Sequence, residues 1–146
     1  VVNGDRVLVG DGREIGKREE KFDAILIDAP CTGLGALRRR PEVRWRRTLQ
    51  DLRELTQLQR ELIQSAISAL NVGGVLGYAT CSPHLAETSI QVADIKKKFM
   101  NVEQIPVSSF MPADLDGGLR DEAMSLWTHR VGTDAMYLAL FKKVSE

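Results

Sequence analysis

The chain contains two cysteines, Cys31 and Cys81, and each follows an apolar segment of strand length and lies beside a proline. The first occurs in the sequence DAPCTG, in which Asp28 precedes the thiol, and the second occurs in ATCSP. Because proline cannot donate a ladder hydrogen bond, the chain must leave a sheet at both places. Both thiols are therefore predicted just past the carboxyl ends of strands, where ligands bind in open α/β sheets.

Two thiols and a carboxyl group suit one demanding reaction, in which a thiolate acts as the nucleophile. The C5 carbon of cytosine is too weakly nucleophilic to take a methyl group from a sulfonium. A thiolate that adds to the neighbouring C6 makes C5 reactive, and a carboxyl group at the N3 edge relieves the charge on the ring. The sulfur must then be eliminated, and a second thiol can assist that step.

The elements that position these groups follow from the pattern of apolar residues. Residues 24–27 are an unbroken apolar run, which predicts a strand buried on both faces, and residues 75–79 predict a second strand. Between them, apolar residues recur at helical spacing from Thr48, where a capping box is predicted. A second helix over residues 85–100 and a last strand over residues 135–141 follow. This order favours an α/β sandwich with a mainly parallel sheet.

Three other segments are predicted to be short or irregular. Residues 6–9 are a candidate strand, and residues 108–133 have the Gly, Pro and Asp content of a long loop. Residues 38–47 carry six arginines against Glu42, and Pro41 prevents a continuous helix there. This basic segment suits a polyanionic partner, although the net charge of the whole chain is zero.

The composition is typical of a globular domain, with 43% hydrophobic and 27% charged residues. No apolar run approaches the roughly 18 residues of a membrane span, and the N-terminus has no signal-peptide profile. Two cysteines do not make a disulfide scaffold, which favours a reducing compartment. We therefore expect a cytoplasmic protein that has neither a membrane nor a metal among its partners.

Residues 28–33 and 79–83 resemble the two cysteine motifs of the S-adenosylmethionine-dependent RNA cytosine-5 methyltransferases. The resemblance points in particular to the bacterial Sun/Fmu (RsmB-like) enzymes, which act on small-subunit ribosomal RNA. Residues 38–45 (RRRPEVRW) and 132–134 (GTD) also match, so the resemblance covers essentially the whole chain. It implies a class I, Rossmann-like fold with an antiparallel last strand, S-adenosylmethionine as cofactor and ribosomal RNA as partner.

The resemblance also implies a role for each candidate site residue. Cys81 adds to cytosine and Cys31 helps to release the product, although the Pro-Cys thiol that attacks in DNA cytosine methyltransferases would favour Cys31. Asp28 lies at the base and, with Pro30, near the methyl donor, whereas Asp11 contacts the donor's adenine. The residues expected to contact RNA are Arg38, Arg39, Arg40, Arg44 and Trp45.

In the family, the glycine-rich cofactor loop and the acidic residue for the ribose lie upstream of the position of Val1. Residues 1–146 are therefore expected to be the C-terminal portion of one catalytic domain whose first strands are missing. Such a fragment is expected to be inactive alone. The strand at residues 24–27 would then have an exposed edge that favours self-association.

The same residues allow other interpretations. The cysteines could be inert buried side chains, could form a disulfide, or could join His84 and His129 in a zinc site. The close ligand pairs typical of zinc sites are absent from the sequence. The chain could also be a non-catalytic RNA-binding module that works through residues 38–47.

Overall fold

The computed structural model describes residues 8–110, 118–120 and 122–146. The helices are α1 (Val43–Arg46), α2 (Leu49–Ala69), α3 (Ser89–Lys98) and α4 (Thr128–Val131). The strands are β1 (Phe22–Asp28), β2 (Leu70–Thr80), β3 (Val102–Ile105), β4 (Leu119–Arg120), β5 (Ala123–Leu126) and β6 (Met136–Lys143). Short 3-10 helices cover Gly12–Lys17, Leu34–Ala36, Leu85–Glu87 and Val107–Phe110. Of the candidate strand at residues 6–9, only the last two residues are described, and they are not in a strand.

The strands form one six-stranded sheet in the order β1-β2-β6-β5-β4, and β3 also pairs with β6. β1 and β2 are parallel, whereas β6 is antiparallel to β2, β3 and β5. Because β4 is antiparallel to β5, it runs in the same direction as β6, and the other four strands run the opposite way. Four of the six described strands thus run in one direction, and the predicted α/β sheet of mainly parallel strands with an antiparallel last strand is confirmed.

Helix α2 begins and ends where its sequence indicates. The Thr48 side chain accepts from the backbone N–H of Asp51, and the Asp51 side chain accepts from the backbone N–H of Thr48, which is a capping box. The helix ends at Ala69, and residues 71–74 then form an irregularity in β2 opposite Asp23. Gly73 allows this turn because its φ is +87°, which side chains rarely adopt.

The core lies between one face of the sheet and the two long helices. Ile63 and Ile67 of α2 and Ile95 of α3 pack in one cluster with alternate residues of the central strands, including Leu76 and Phe141. Within the described residues, no helix of comparable length covers the other face of the sheet. None of the described helices is both long enough and apolar enough to cross a membrane.

The prediction that residues 24–27 form a strand buried on both faces is wrong. β1 is the edge strand, and its residues alternate between half-buried and exposed along Ala24–Asp28. Ile25 and Ile27 pack partly against the core, whereas Leu26 faces the uncovered side and is 70% exposed.

The long loop predicted at residues 108–133 also contains regular structure. It includes β5 and α4, and β5 pairs with β6 from Met124 to Leu126. The pairing is a long-range contact, which the local Gly and Pro content does not reveal. The helix predicted at residues 85–100 is in fact a short 3-10 helix followed by α3.

Candidate active site

The thiols of Cys31 and Cys81 are in contact, with their Sγ atoms 3.3 Å apart. The parallel register of β1 and β2 places Asp28 opposite Ala79, so both cysteine loops leave the sheet at the same edge. Both cysteines are free and half-buried, so neither is an inert core residue. The separation exceeds a disulfide bond of about 2.05 Å by far more than a bond stretches.

The two thiols differ in acidity because the thiol that stays protonated donates a hydrogen bond that stabilises its partner as a thiolate. Either sulfur could be the donor in this hydrogen bond, but Cys31 is the more deeply buried thiol and therefore the one that keeps its proton. The hydrogen bond from Cys31 then lowers the pKa of Cys81, while partial burial and the nearby carboxyl groups of Asp28 and Asp134 oppose that shift. The same contact raises the pKa of Cys31, and burial raises it further. Cys81 is therefore the thiol that ionises first, and Cys31 remains protonated beside it.

A short loop contact fixes the backbone around the thiols. The backbone N–H of Gly35 donates to the carbonyl of Cys81 at 2.9 Å, and the N–H of Ala135 donates to the carbonyl of Gly35 at 2.9 Å. A Cβ at Gly35 would lie 2.1 Å from the Ala135 carbonyl oxygen, so only glycine allows this approach. The Cys31 loop, the Cys81 loop and the start of β6 are thereby joined.

The candidate donor-site residues lie in two different places. Asp28 ends β1 at the thiol edge and is exposed, as is Pro30, whose carbonyl accepts from the side chain of Gln59 at 2.9 Å. Asp11 instead caps the helix Gly12–Lys17, and its carboxylate forms an ion pair with Arg13 at 2.6 Å. That guanidinium holds the pKa of Asp11 near 2.

The arginine-rich segment borders the thiol loops. Arg39 forms an ion pair with Asp134, whose carboxylate raises the pKa of Arg39, and a negative charge on Cys81 raises it further. Arg47 donates from Nε to the carbonyl of Thr32 at 3.2 Å. The Trp45 side chain is 81% exposed, so it is not a core anchor. The remaining predicted RNA contacts, which are Arg38, Arg40 and Arg44, are also exposed.

A groove of about 850 Å³ lies between α3 and β5. Ser82 and Pro83 reach its wall, but neither cysteine lines it. The two thiols therefore lie at the carboxyl ends of β1 and β2 and not in this groove. Among the described residues, no three His, Cys, Asp or Glu side chains are grouped as metal ligands, so the zinc set with His84 and His129 does not form.

Residues 2–142 match the family model described as 16S rRNA methyltransferase RsmB/F. The chain belongs to this family. A Mycobacterium tuberculosis protein named as a methyltransferase is 48% identical over 85% of the chain. The Escherichia coli ribosomal RNA small subunit methyltransferase B is 42% identical over 66% of it. The chain spans only 27% and 23% of these two relatives.

Solved structures agree with the RsmB/F assignment. NSun6 from Pyrococcus horikoshii, crystallised with the S-adenosylmethionine analogue SFG, is 30% identical with a TM-score of 0.80. The match covers 97% of this chain and 35% of that one. A methyltransferase homolog from the same organism is 30% identical with a TM-score of 0.71, over 90% of this chain and 42% of that one. The Rossmann-like methyltransferase fold and the S-adenosylmethionine dependence of the family are thus established.

The structure of this RsmB/F domain also reveals residues near the thiols for which no role in the site was predicted. Thr32, Gln59 and Glu87 are buried next to the thiol loops and hydrogen-bond to one another. One signal was available in the sequence, because Gln59 lies on the apolar stripe of α2, four residues before Ile63. A polar residue on a buried stripe requires a hydrogen-bond partner.

Proposed function

We propose that the protein containing this chain is an S-adenosylmethionine-dependent methyltransferase that modifies C5 of a cytosine in 16S ribosomal RNA. The observation that carries the proposal is the 3.3 Å contact between two thiols of unequal acidity at one sheet edge. A structural cysteine pair needs neither free thiols nor a depressed pKa. Membership of the RsmB/F family supplies the substrate class.

The unequal thiols support a division of labour in which Cys81 is the nucleophile. Its thiolate adds to C6 of the cytosine, and the electron pair of the C5–C6 double bond becomes available to take the methyl group at C5. Asp28, at the same edge, would relieve charge at N3. After methylation, solvent water at the exposed strand ends takes the C5 proton, and the C5–H electron pair re-forms the C5–C6 double bond. The C6–S bond breaks with its electron pair on the Cys81 sulfur. Cys31, which remains protonated, is suited to assist that elimination by donating its S–H to the departing sulfur.

The described residues fit one part of a methyl-donor site. S-adenosylmethionine supplies a methyl group activated by a sulfonium. Asp28 and Pro30 are exposed at the carboxyl edge of the sheet, where such donors bind. Asp11 fits only if the adenine amino group shares the carboxylate with Arg13, which already donates to both of its oxygens.

The arginine-rich segment supports RNA as the partner. Arg38, Arg40 and Arg44 are exposed and available for phosphates, and Trp45 presents an exposed ring on which a base can stack. The segment reaches the thiol loop through Arg47, so a bound strand would pass close to the sulfurs. A reducing compartment such as the cytoplasm would keep the two thiols free.

Single substitutions of the two cysteines in the complete protein test the function. Cys81→Ser should abolish methyl transfer to 16S ribosomal RNA, because serine is not ionised at neutral pH, while the affinity for RNA stays within about twofold. Cys31→Ser should leave the first step intact and slow elimination, so a protein–RNA adduct stable in denaturing gels should accumulate. Methylation that persists in Cys81→Ser would contradict the assignment of the nucleophile. Absence of methylation in the wild type, with RNA binding intact, would favour a non-catalytic RNA-binding module.

We also expect residues 1–146, expressed alone, to transfer no methyl group. The sequence contains no glycine-rich turn between a strand and a helix of the kind that holds the donor's ribose and adenine. Gly10-Asp11-Gly12 lacks that spacing. Incorporation of labelled methyl into 16S ribosomal RNA by this fragment would contradict the expectation, and the complete protein is the positive control.

A further inference from the structure

Glu87 is an acidic residue in the 3-10 helix Leu85–Glu87, and 0% of its surface is exposed. Buried acids are usually paired with a cation, yet Glu87 has no ion pair with any cation among the described residues. Its oxygens instead accept from the backbone N–H of Thr32 at 2.8 Å, the Thr32 hydroxyl at 2.5 Å and the Gln59 amide at 3.1 Å. Three hydrogen-bond donors therefore surround the buried Glu87 carboxylate and satisfy its oxygens.

The network includes the residue that follows each cysteine. Thr32 follows Cys31, Ser82 follows Cys81, and their hydroxyl oxygens are 3.1 Å apart. Since the single hydroxyl hydrogen of Thr32 goes to Glu87, the Ser82 hydroxyl must donate to Thr32. The Ser82 oxygen in turn accepts from the backbone N–H of His84 at 3.2 Å. One directed chain of hydrogen bonds therefore runs from the Cys81 loop through the Cys31 loop to Glu87.

Helix α2 and strand β2 hold this chain from the core side. Gln59 donates both to Glu87 and to the carbonyl of Pro30, at 3.1 and 2.9 Å. The Tyr78 hydroxyl lies 2.9 Å from the Glu87 carbonyl oxygen and 3.1 Å from the Gln59 amide oxygen. Each partner is a rigid element or a buried side chain, so a shift in either cysteine loop would break several hydrogen bonds.

We propose that Glu87 is a positioning residue that fixes the Cys31 and Cys81 loops against each other, so that the two sulfurs stay in contact. Glu87 does not touch the sulfurs, and it acts through Thr32 and Ser82. The significance for catalysis rests on the proposed function, in which Cys81 attacks and Cys31 assists release. The contact itself can be tested without any methyl transfer.

The first test removes the hydroxyl that links the loops. In the purified protein, Thr32→Val should raise the apparent pKa of Cys81 by at least about one unit. The reason is that the loops are no longer held together, so the S–H of Cys31 no longer donates a hydrogen bond to the Cys81 sulfur. Thr32→Ser retains the hydroxyl and should leave that pKa unchanged. Asp28, Asp134 and Arg39 are the charged groups around Cys81, and neither variant alters them. The readout is the pH dependence of alkylation at Cys81, followed by mass spectrometry.

The second test measures proximity directly. Diamide oxidises two adjacent thiols to a disulfide and is itself reduced to the hydrazine, so the rate of Cys31–Cys81 cross-linking reports how well the loops are held. We expect Glu87→Ala and Thr32→Val to slow this cross-linking by about tenfold, because looser loops lower the effective concentration of each thiol at the other. Glu103→Ala, at an exposed position of β3, is the matched control and should have no effect.

The outcomes separate the proposal from the proposed function. Folded Glu87→Ala and Thr32→Val proteins with unchanged titration and cross-linking would overturn the positioning role, whatever their methylation activity. Slower cross-linking and a raised pKa in a protein that never methylates RNA would support the positioning role and contradict the proposed function. If Glu87→Ala does not fold, the comparison of Thr32→Val with Thr32→Ser decides.

Discussion

At the scale of single residues, the two cysteines are chemically inequivalent although their motifs look alike. Two thiols in contact cannot both ionise readily, because a second negative charge would lie 3.3 Å from the first. We expect the remaining proton on Cys31, because burial raises the pKa of that thiol, and its S–H would then stabilise the thiolate of Cys81. This asymmetry favours the proposed assignment of Cys81 as the nucleophile. The Pro-Cys motif alone would favour Cys31 instead.

The acidity of Cys81 gives a prediction about pH. Its pKa is lowered to about 6 from an ordinary 9.0, so Cys81 is mostly thiolate at pH 7 and loses reactivity as the pH falls through 6. Alkylation of Cys81 should therefore inflect near pH 6. Cys31→Ala removes the S–H donor and should move the inflection towards 9. A wild-type inflection that already lies near 9 would contradict the proton sharing.

At the scale of elements, the parallel pairing of β1 and β2 brings the two loops to one edge, and Gly35 then locks them. Its N–H and C=O join the Cys81 loop to the start of β6, with both hydrogen bonds at 2.9 Å. The ion pair between Arg39 and Asp134 joins the segment that follows Cys31 to the start of β6. The sulfur contact therefore depends on three elements that are distant in the sequence.

Gly35→Ala should disrupt this junction, because the added Cβ would lie 2.1 Å from the Ala135 carbonyl oxygen and 2.6 Å from that of Cys81. We expect a loss of about 1–3 kcal/mol in the free energy of unfolding, the usual cost of overpacking. Urea denaturation followed by circular dichroism measures it. Gly10→Ala is the matched control, since nothing lies within 4 Å of a Cβ there. Equal midpoints for the two variants would show that the backbone moves aside easily.

At the scale of the whole molecule, the described helices cover one face of the sheet, and no described strand pairs with the outer edge of β1. Both α2 and α3 pack on the face that carries Leu76 and Phe141. On the other face, Leu26 is 70% exposed on the edge strand. An unpaired strand edge beside an exposed apolar side chain is a site at which chains associate.

Residues 1–146 in isolation should consequently self-associate, with a sedimentation coefficient that rises with protein concentration. Leu26→Lys introduces a charge on the exposed face of the edge strand and should shift the equilibrium towards the monomer. Val9→Lys changes an exposed apolar residue outside the sheet and is the matched control. Sedimentation velocity that reports only monomer for the unaltered fragment at all concentrations would contradict this prediction.

Much of the local structure was predictable because its causes are local. The capping box at Thr48, the spacing of apolar residues along α2, and the prolines after β1 and β2 are each encoded within a few residues. The two strand ends bearing Cys31 and Cys81 follow from the same short-range signals. The family resemblance rested on these motifs, and the match over residues 2–142 confirms it.

The sequence by itself thus determined where β1, β2, β6 and the long helix α2 lie, and that both thiols follow strand ends. Only the tertiary structure decided that β1 is a half-exposed edge, that β5 pairs with β6, and that Glu87 joins the two cysteine loops. The reason is physical: Thr32 and Glu87 are 55 residues apart, and Cys31 and Cys81 are 50 apart. Contacts over such separations depend on how the elements pack, and no short stretch of sequence encodes that packing.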